Sequence, residues 1–119
     1  PYGYSPVLAT TEATASTHKE ELAAFLSASA RGFAWAASQP QEMAGLLLPL
    51  VPEADQDLAM LTAAQQATSP HYLHAQGWGY MEKERVDAYL NWLLAEGLES
   101  TRFDAAALFT NSLLPNKQS

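Results

Sequence analysis

Two segments in the C-terminal half of the chain decide its interpretation: Gly77-Trp78-Gly79-Tyr80-Met81 and Leu108-Phe109-Thr110-Asn111-Ser112-Leu113-Leu114-Pro115. The first leads directly into residues 82–96, where apolar residues recur every three or four positions. That spacing predicts an amphipathic helix, and the glycine that follows at residue 97 is a typical helix C-terminal signal. The two glycines beside Trp78 favour a tight turn. The sequence therefore predicts a loop rich in aromatic residues that leads into a helix.

The rest of the chain is also predominantly helical in pattern. Apolar periodicity and helix boundary signals predict about five helices, at residues 18–37, between Pro40 and Pro49, at residues 56–68, 82–96 and 105–109. Thr17 and Asp55 are the expected N-terminal caps of the first and third. One face of the first helix is expected to turn inward, and it carries Leu22, Phe25, Leu26, Ser29 and Phe33.

Residues 7–12 form the strand candidate of this sequence, because β-prone residues follow Pro6 there. The backbone of a strand needs hydrogen-bond partners, and the sequence suggests no second strand. We expect this strand to pair with another copy, to pair with a further part of the protein, or to remain at an exposed edge. The chain is thus expected to be one segment, residues 1–119, of a larger unit. Within it, residues 1–16 form an N-terminal loop and strand, residues 17–115 the helical part and residues 116–119 a tail.

Charge and composition exclude several classes of function. Six basic residues oppose thirteen acidic ones, giving a net charge of −7. No basic stripe exists to bind phosphates, so a nucleic-acid partner is not expected. The sequence has no cysteine, which excludes disulfide and thiolate sites. His71 and His74 have metal-ligand spacing but no third ligand nearby, and no glycine-rich phosphate loop is present, so neither a metal nor a cofactor is expected.

Taken in order, these features resemble the C-terminal part of the solute-binding proteins that serve ABC importers. The tyrosine-rich opening around Tyr2 and Tyr4, the strand, the helix junction at residues 33–42 and the two quoted segments follow at similar distances. The similarity is to the thiamine-pyrimidine-precursor binding family, which is related to the nitrate, sulfonate and taurine binders. One departure is Glu82-Lys83, where the family has an Asp or Pro after the Met, and this weakens the predicted helix cap.

The resemblance implies an α/β parent fold, the type II periplasmic binding protein fold, with a ligand cleft between two lobes. This chain would be the C-terminal portion, itself mostly α-helical with about five helices and one N-terminal β-strand. It would capture a small solute such as a thiamine pyrimidine precursor and pass it to an ABC permease, without enzymatic activity. The expected location is periplasmic or otherwise extracytoplasmic, at the membrane through the transporter. The missing lobe or a second copy would cover the exposed helices.

The candidate ligand-binding residues are Tyr2, Tyr4, Glu12, Trp78 and Tyr80. Aromatic faces bind flat rings well because stacking adds to the burial of apolar area. The resemblance implies that the N-terminal segment lies near the cleft, where Glu12 would accept a hydrogen bond from an aminopyrimidine. The structural alternatives are that the tyrosines pack a hinge loop and that Trp78 anchors its loop against the neighbouring helices.

Two other functions compete with solute binding. The same fold includes enzymes that synthesise the thiamine pyrimidine, but their cysteine-rich segment and active-site histidine have no counterpart here. A helical module that associates with its own copies is the second alternative, because an unpaired strand and apolar helix faces favour self-association.

Overall fold

The computed structural model describes residues 4, 6–72 and 74–115. The described residues contain six α-helices: α1 (Glu12–Thr17), α2 (Lys19–Ser38), α3 (Pro40–Leu47), α4 (Leu58–Thr68), α5 (Lys83–Ala95) and α6 (Ala105–Leu108). Short 3-10 turns lie at Leu48–Leu50, Glu53–Asp55 and Ser69–His71. The predicted mostly helical character is confirmed, and α1 is an additional helix that the periodicity did not reveal. None of the described helices is both long and apolar enough to cross a membrane.

The strand predicted at residues 7–12 is wrong, since the described residues contain no strand. Val7 and Leu8 are 55% and 62% exposed, and no second strand lies beside them among the described residues to complete a ladder. Thr11 instead caps α1, because its side-chain oxygen accepts a hydrogen bond from the Thr14 N–H at 3.1 Å. The helical part therefore begins at residue 12 rather than residue 17, while the predicted tail at 116–119 lies outside the described residues.

Helices α2, α3 and α4 pack together through small side chains. In this group the buried apolar residues are Ala36 on α2 and Ala44 on α3, and Ala44 is fully inaccessible to solvent. Alanine lets two helix backbones approach closely, since it places only a methyl group between them. The predicted inward face of α2 is only partly covered by the described residues. Phe33 packs against Tyr72 and Trp78 yet is 39% exposed, and Phe25 is 56% exposed.

A buried glutamine completes the contact between α2 and α4. The carbonyl of Ala36 would ordinarily accept a hydrogen bond from the backbone N–H four residues later, but that residue is Pro40, which has no N–H. The side-chain amide of Gln65 on α4 donates to this carbonyl at 3.4 Å and to the Ser69 hydroxyl at 3.3 Å. Gln65 is only 6% exposed, so α4 caps the C-terminal end of α2.

The C-terminal helices follow the sequence signals closely. Helix α5 ends at Ala95 and is followed closely by Gly97, whose φ of +67° is readily adopted by glycine. The next residue, Leu98, donates back to the Leu93 carbonyl at 2.9 Å. The carboxylate of Asp104 caps α6 by accepting from the Ala106 N–H at 3.0 Å. Helices α5 and α6 contact each other, and α6 brings residues 108–115 back toward the start of α5.

The chain buries little large apolar surface. Its accessible surface is 8769 Å², about 2,400 Å² more than the scaling law gives for a compact monomer of this mass. Its radius of gyration is 17.2 Å, against about 13.5 Å for a compact domain of this length. Among the described residues, every buried apolar side chain is an alanine. Much of the apolar surface is consequently available for contact with another polypeptide surface.

Candidate functional site

The two segments that open the sequence analysis meet through a pair of hydrogen bonds. The Met81 N–H donates to Asn111 Oδ1 at 3.0 Å, and Asn111 Nδ2 donates to the Met81 carbonyl at 2.8 Å. We call this pair of bonds the Asn111 clamp. It saturates both backbone groups of Met81 as a neighbouring strand would. Close packing adds to it, since a Cβ atom at Gly79 would lie 3.1 Å from Leu114 Cδ2.

Tyr4 joins the N-terminal segment to the start of α5. Its hydroxyl oxygen accepts a hydrogen bond from the Glu82 N–H at 2.9 Å. The guanidinium carbon of Arg85 lies 4.4 Å from the centre of the Tyr4 ring, within the range of an attractive cation–π contact. The backbone amides of Met81 and Glu82 are therefore held by side chains from opposite ends of the chain.

His74 and Tyr80 form the polar edge of the same loop. The two rings stack with their centres 5.4 Å apart, and His74 Nε2 lies 3.3 Å from Glu82 Oε1. The other ring nitrogen, Nδ1, accepts from the Gln76 N–H at 3.0 Å. These two contacts assign the ring proton to Nε2, which donates it to the Glu82 carboxylate. Glu82 precedes α5 without capping it through its side chain, so the weakened cap predicted there is confirmed.

Trp78 anchors the loop to α2. Its ring stacks on Phe33 with centres 5.1 Å apart and planes inclined by 26°. Tyr72 meets the same phenylalanine edge-on at 5.0 Å. These geometries are the favourable ones for aromatic pairs, so the three rings tie the loop to the helical part of the chain.

The structure brings three of the predicted ligand residues, Tyr4, Trp78 and Tyr80, to one region around residues 74–82. Glu12 is the exposed first residue of α1 and makes no hydrogen bond or ion pair with them, and Tyr2 falls outside the described residues. Each of the three rings already stacks against a partner within the chain. This arrangement fits the structural alternatives, and a planar ligand would stack only on the face of each ring that remains.

Other candidate sites lie elsewhere or lack the necessary groups. A shallow groove of about 340 Å³ lies between α2, α3 and the end of α4, and none of the predicted ligand residues lines it. Its walls are Ala37, Pro40, Gln66, Ser69 and Pro70. Among the described residues, no group of three or more metal-binding side chains is placed to hold a metal ion.

Two charged groups have displaced pKa values through local contacts. The hydrogen bond to Asp87, one turn further along α5, raises the pKa of Lys83. The backbone N–H groups of Thr101 and Ser100 lower the pKa of Glu99 by donating to its carboxylate. Both shifts arise from local contacts, and neither group belongs to the aromatic loop, residues 74–82.

Sequence reasoning missed the three polar residues that organise this region, Asn111, Arg85 and His74. Asn111 would be expected to form a turn by its residue type alone, whereas its amide binds a backbone 30 residues away. The available signal was the resemblance of both segments, at a similar spacing, to one family. This suggested that the segments are close in the fold, but it did not identify the atoms in contact.

Comparison with known families and proteins gives one positive result. Residues 1–43 match the NMT1/THI5-like family. The match covers about a third of the chain, from the N-terminal segment through α2 to the first half of α3. It includes Tyr4 and Glu12, while the aromatic loop and the Asn111 clamp lie outside it. No curated protein and no solved structure matches the chain significantly.

The NMT1/THI5-like match supports a relationship with a family of the periplasmic binding protein type, and this part of the expected resemblance is confirmed. It is consistent with an α/β parent fold for which this chain supplies helices. It is also consistent with binding of a small-molecule solute, in transport or in thiamine precursor biosynthesis.

Proposed function

We propose that this chain is part of the substrate-binding component of an ABC importer that captures a small planar solute such as a thiamine pyrimidine precursor. The observation that carries this proposal is the match of residues 1–43 to a family of the periplasmic binding protein type. In such a receptor the solute would be held outside the cytoplasmic membrane and delivered to a permease. The chain would act by binding, with no chemical step.

The aromatic loop supplies the physical basis for recognising a planar ring. Trp78 and Tyr80 lie on one short loop whose backbone is fixed by Asn111 and Tyr4. A ring held rigid before the ligand arrives loses little conformational entropy on binding. Both loop side chains are half-buried rather than fully buried, and we propose that they stack on the ligand and that Glu12 and Tyr2 approach it from the N-terminal segment.

The surface of the chain supports its place in a two-lobed protein. About 2,400 Å² of excess accessible surface is comparable with what one partner buries in a large obligate interface. We propose that residues 1–119 form the C-terminal portion of such a protein and that the other lobe covers these helices. Closure of the two lobes around the ligand would complete the site. The same surface favours self-association as the competing role.

Synthesis of the pyrimidine is the other function within the same family description. The enzymes of that kind that this sequence resembles have a cysteine-rich segment, and this chain contains no cysteine. We therefore favour binding over synthesis for this chain.

The test is a ligand screen on the protein as it is made in its native cells. Melting temperature would be measured with thiamine pyrimidine precursors, nitrate, taurine and alkanesulfonates, and product formation would be followed in parallel. We expect a pyrimidine precursor to raise the melting temperature, because a ligand that binds the folded state stabilises it. The proposal fails if none of these compounds does so, and pyrimidine product would establish the enzymatic alternative.

Matched variants locate the site. Trp78→Ala should weaken binding of the pyrimidine by about tenfold, through loss of one stacking contact. Trp35→Ala on α2 is the control, because Trp35 is 40% exposed and does not stack on the loop. Glu12→Gln should also weaken binding, whereas Glu20→Gln in the first turn of α2 should not. Equal behaviour of the two tryptophan variants would contradict the assignment of the loop to the ligand.

A further inference from the structure

We propose that Asn111 is the positioning residue of the aromatic loop. Through its bonds to Met81 it sets the placement of Trp78 and Tyr80, and thereby the affinity for the ligand. This inference rests on the proposed function for its effect on affinity. It assigns a ligand-related role to the C-terminal segment, which lies outside the family match.

The first step is the completeness of the clamp. An amide side chain offers one acceptor oxygen and a donor NH₂ group. Asn111 uses both kinds of group on a single residue, accepting from the Met81 N–H and donating to the Met81 carbonyl at 3.0 and 2.8 Å. Asn111 and Met81 are both half-buried, so loss of either bond would leave a partly desolvated backbone group without its partner.

The second step is the route from Met81 to the rings. Met81 directly follows Tyr80 and lies three residues after Trp78, with only Gly79 and Tyr80 between. Gly79 has a φ of +79°, and a Cβ atom there would lie 3.1 Å from Leu114 Cδ2 of the C-terminal segment. A displacement of the Met81 backbone therefore passes to both aromatic residues over one short, tightly turned stretch.

The third step concerns the other hydrogen bond that holds this part of the loop from outside. The hydroxyl of Tyr4 accepts from the Glu82 N–H at 2.9 Å, one residue after the clamp. The loop is also held by ring packing of Trp78 on Phe33 and of Tyr80 on His74. Two stacked rings can still slide parallel to their planes. The two clamp bonds, in contrast, fix the Met81 backbone in direction as well as distance.

The experiment compares Asn111→Ala, Asn111→Asp and the control Asn91→Ala, an exposed asparagine of α5. Asn111→Asp keeps the size of the side chain and the acceptor for the Met81 N–H, but its carboxylate oxygens repel the Met81 carbonyl. A residue that merely fills space would tolerate this change. A positioning residue that works through both bonds would not.

Three quantities would be measured: hydrogen exchange at the Met81 amide, the indole N–H signal of Trp78 in an NMR spectrum, and the Kd for a thiamine pyrimidine precursor. We expect roughly tenfold faster exchange at Met81 and roughly tenfold weaker binding in both Asn111 variants, as loss of a half-buried hydrogen bond implies. The Trp78 indole signal should shift in both, and Asn91→Ala should match the wild type.

Unchanged Met81 exchange and an unchanged Trp78 signal in both Asn111 variants would overturn the inference. Wild-type affinity in a variant whose Met81 exchange has accelerated would overturn it as well. If the wild-type protein binds no pyrimidine precursor, the proposed function fails, and the positioning role is then decided by the Trp78 signal alone.

Discussion

The N-terminal helical part of the molecule, residues 12–72, and the C-terminal part, residues 74–115, are held together in different ways. In the first, Ala36 and Ala44 lie buried between helices and one glutamine caps a helix end. In the second, side chains bind backbone groups that are distant in sequence, as Asn111 binds Met81. The stability of the first part therefore depends on the volume of its buried side chains. The stability of the second part depends on the hydrogen-bonding groups of side chains such as Asn111.

The strongest disruption is expected from a larger side chain at the centre of the N-terminal helical part. Ala44→Leu should destabilise the protein by about 2 kcal/mol, or roughly 8 °C in melting temperature, because overpacking forces neighbouring helices apart. Thermal unfolding followed by circular dichroism would measure this. Ala63→Leu, at an exposed position of α4, should leave the melting temperature almost unchanged. Equal losses at both positions would show that the interface between α3 and α4 is not closely packed.

Gln65→Leu tests the polar contact between α2 and α4. It removes the donor for the Ala36 carbonyl, which Pro40 cannot replace, and we expect a loss of about 1–2 kcal/mol. Denaturant unfolding would give this value. Gln66→Leu is the matched control, since Gln66 is exposed on the same helix. If both variants unfold at the same denaturant concentration, Gln65 does not act as a cap for α2.

Tyr4→Phe tests the C-terminal part without changing side-chain volume much. It keeps the ring beneath Arg85 and removes the oxygen that accepts from the Glu82 N–H, so a loss of about 0.5–1 kcal/mol is expected. Faster hydrogen exchange at the Glu82 amide should accompany it. Tyr89→Phe is the control, because Tyr89 stacks on Trp92 and its hydroxyl has no partner among the described residues. A larger loss from Tyr89→Phe would contradict the role given to Tyr4.

The smallest effect is expected at Glu99, whose pKa is lowered by the N–H groups of Thr101 and Ser100. A carboxylate with a lowered pKa in the folded state stabilises the fold above its unfolded pKa, and this contribution disappears as pH falls through the folded pKa. Glu99→Gln should therefore reduce stability slightly near neutral pH and not at strongly acidic pH. Denaturant midpoints at both pH values would measure it, with Glu96→Gln as the control. A constant difference across pH would exclude a charge effect.

The sequence predicted the helices well where periodicity is local. The helix predicted at residues 82–96 is observed as Lys83–Ala95, and the one at 56–68 as Leu58–Thr68. The predicted bounds differ by one or two residues at the starts and ends, and two predicted caps are wrong. His18 rather than Thr17 is the N-cap of α2. Asp57 rather than Asp55 caps α4, by accepting from the N–H groups of Ala59 and Met60. Several acceptors of similar type stand near that end, and the local sequence does not rank them.

The strand and the site were less predictable for a physical reason. A strand is stabilised by hydrogen bonds and side-chain contacts with a neighbouring strand. Residues 7–12 are β-prone but have no such neighbour in the described structure, so they do not form a strand there. The candidate site residues Trp78 and Tyr80 were predicted from their aromatic loop. Two of the residues that hold this loop, Phe33 and Asn111, are 30 or more residues away, beyond any local pattern.

The long separation between the partners of the loop has a consequence for the order of folding. The Tyr4–Glu82 bond spans 78 residues and the Asn111 clamp 30, so both close large loops and form late compared with helix turns. During synthesis, residues 77–81 leave the ribosome well before the segment that holds them. The aromatic loop should thus remain protease-sensitive in nascent chains that end after α5, and become protected once residue 111 has emerged.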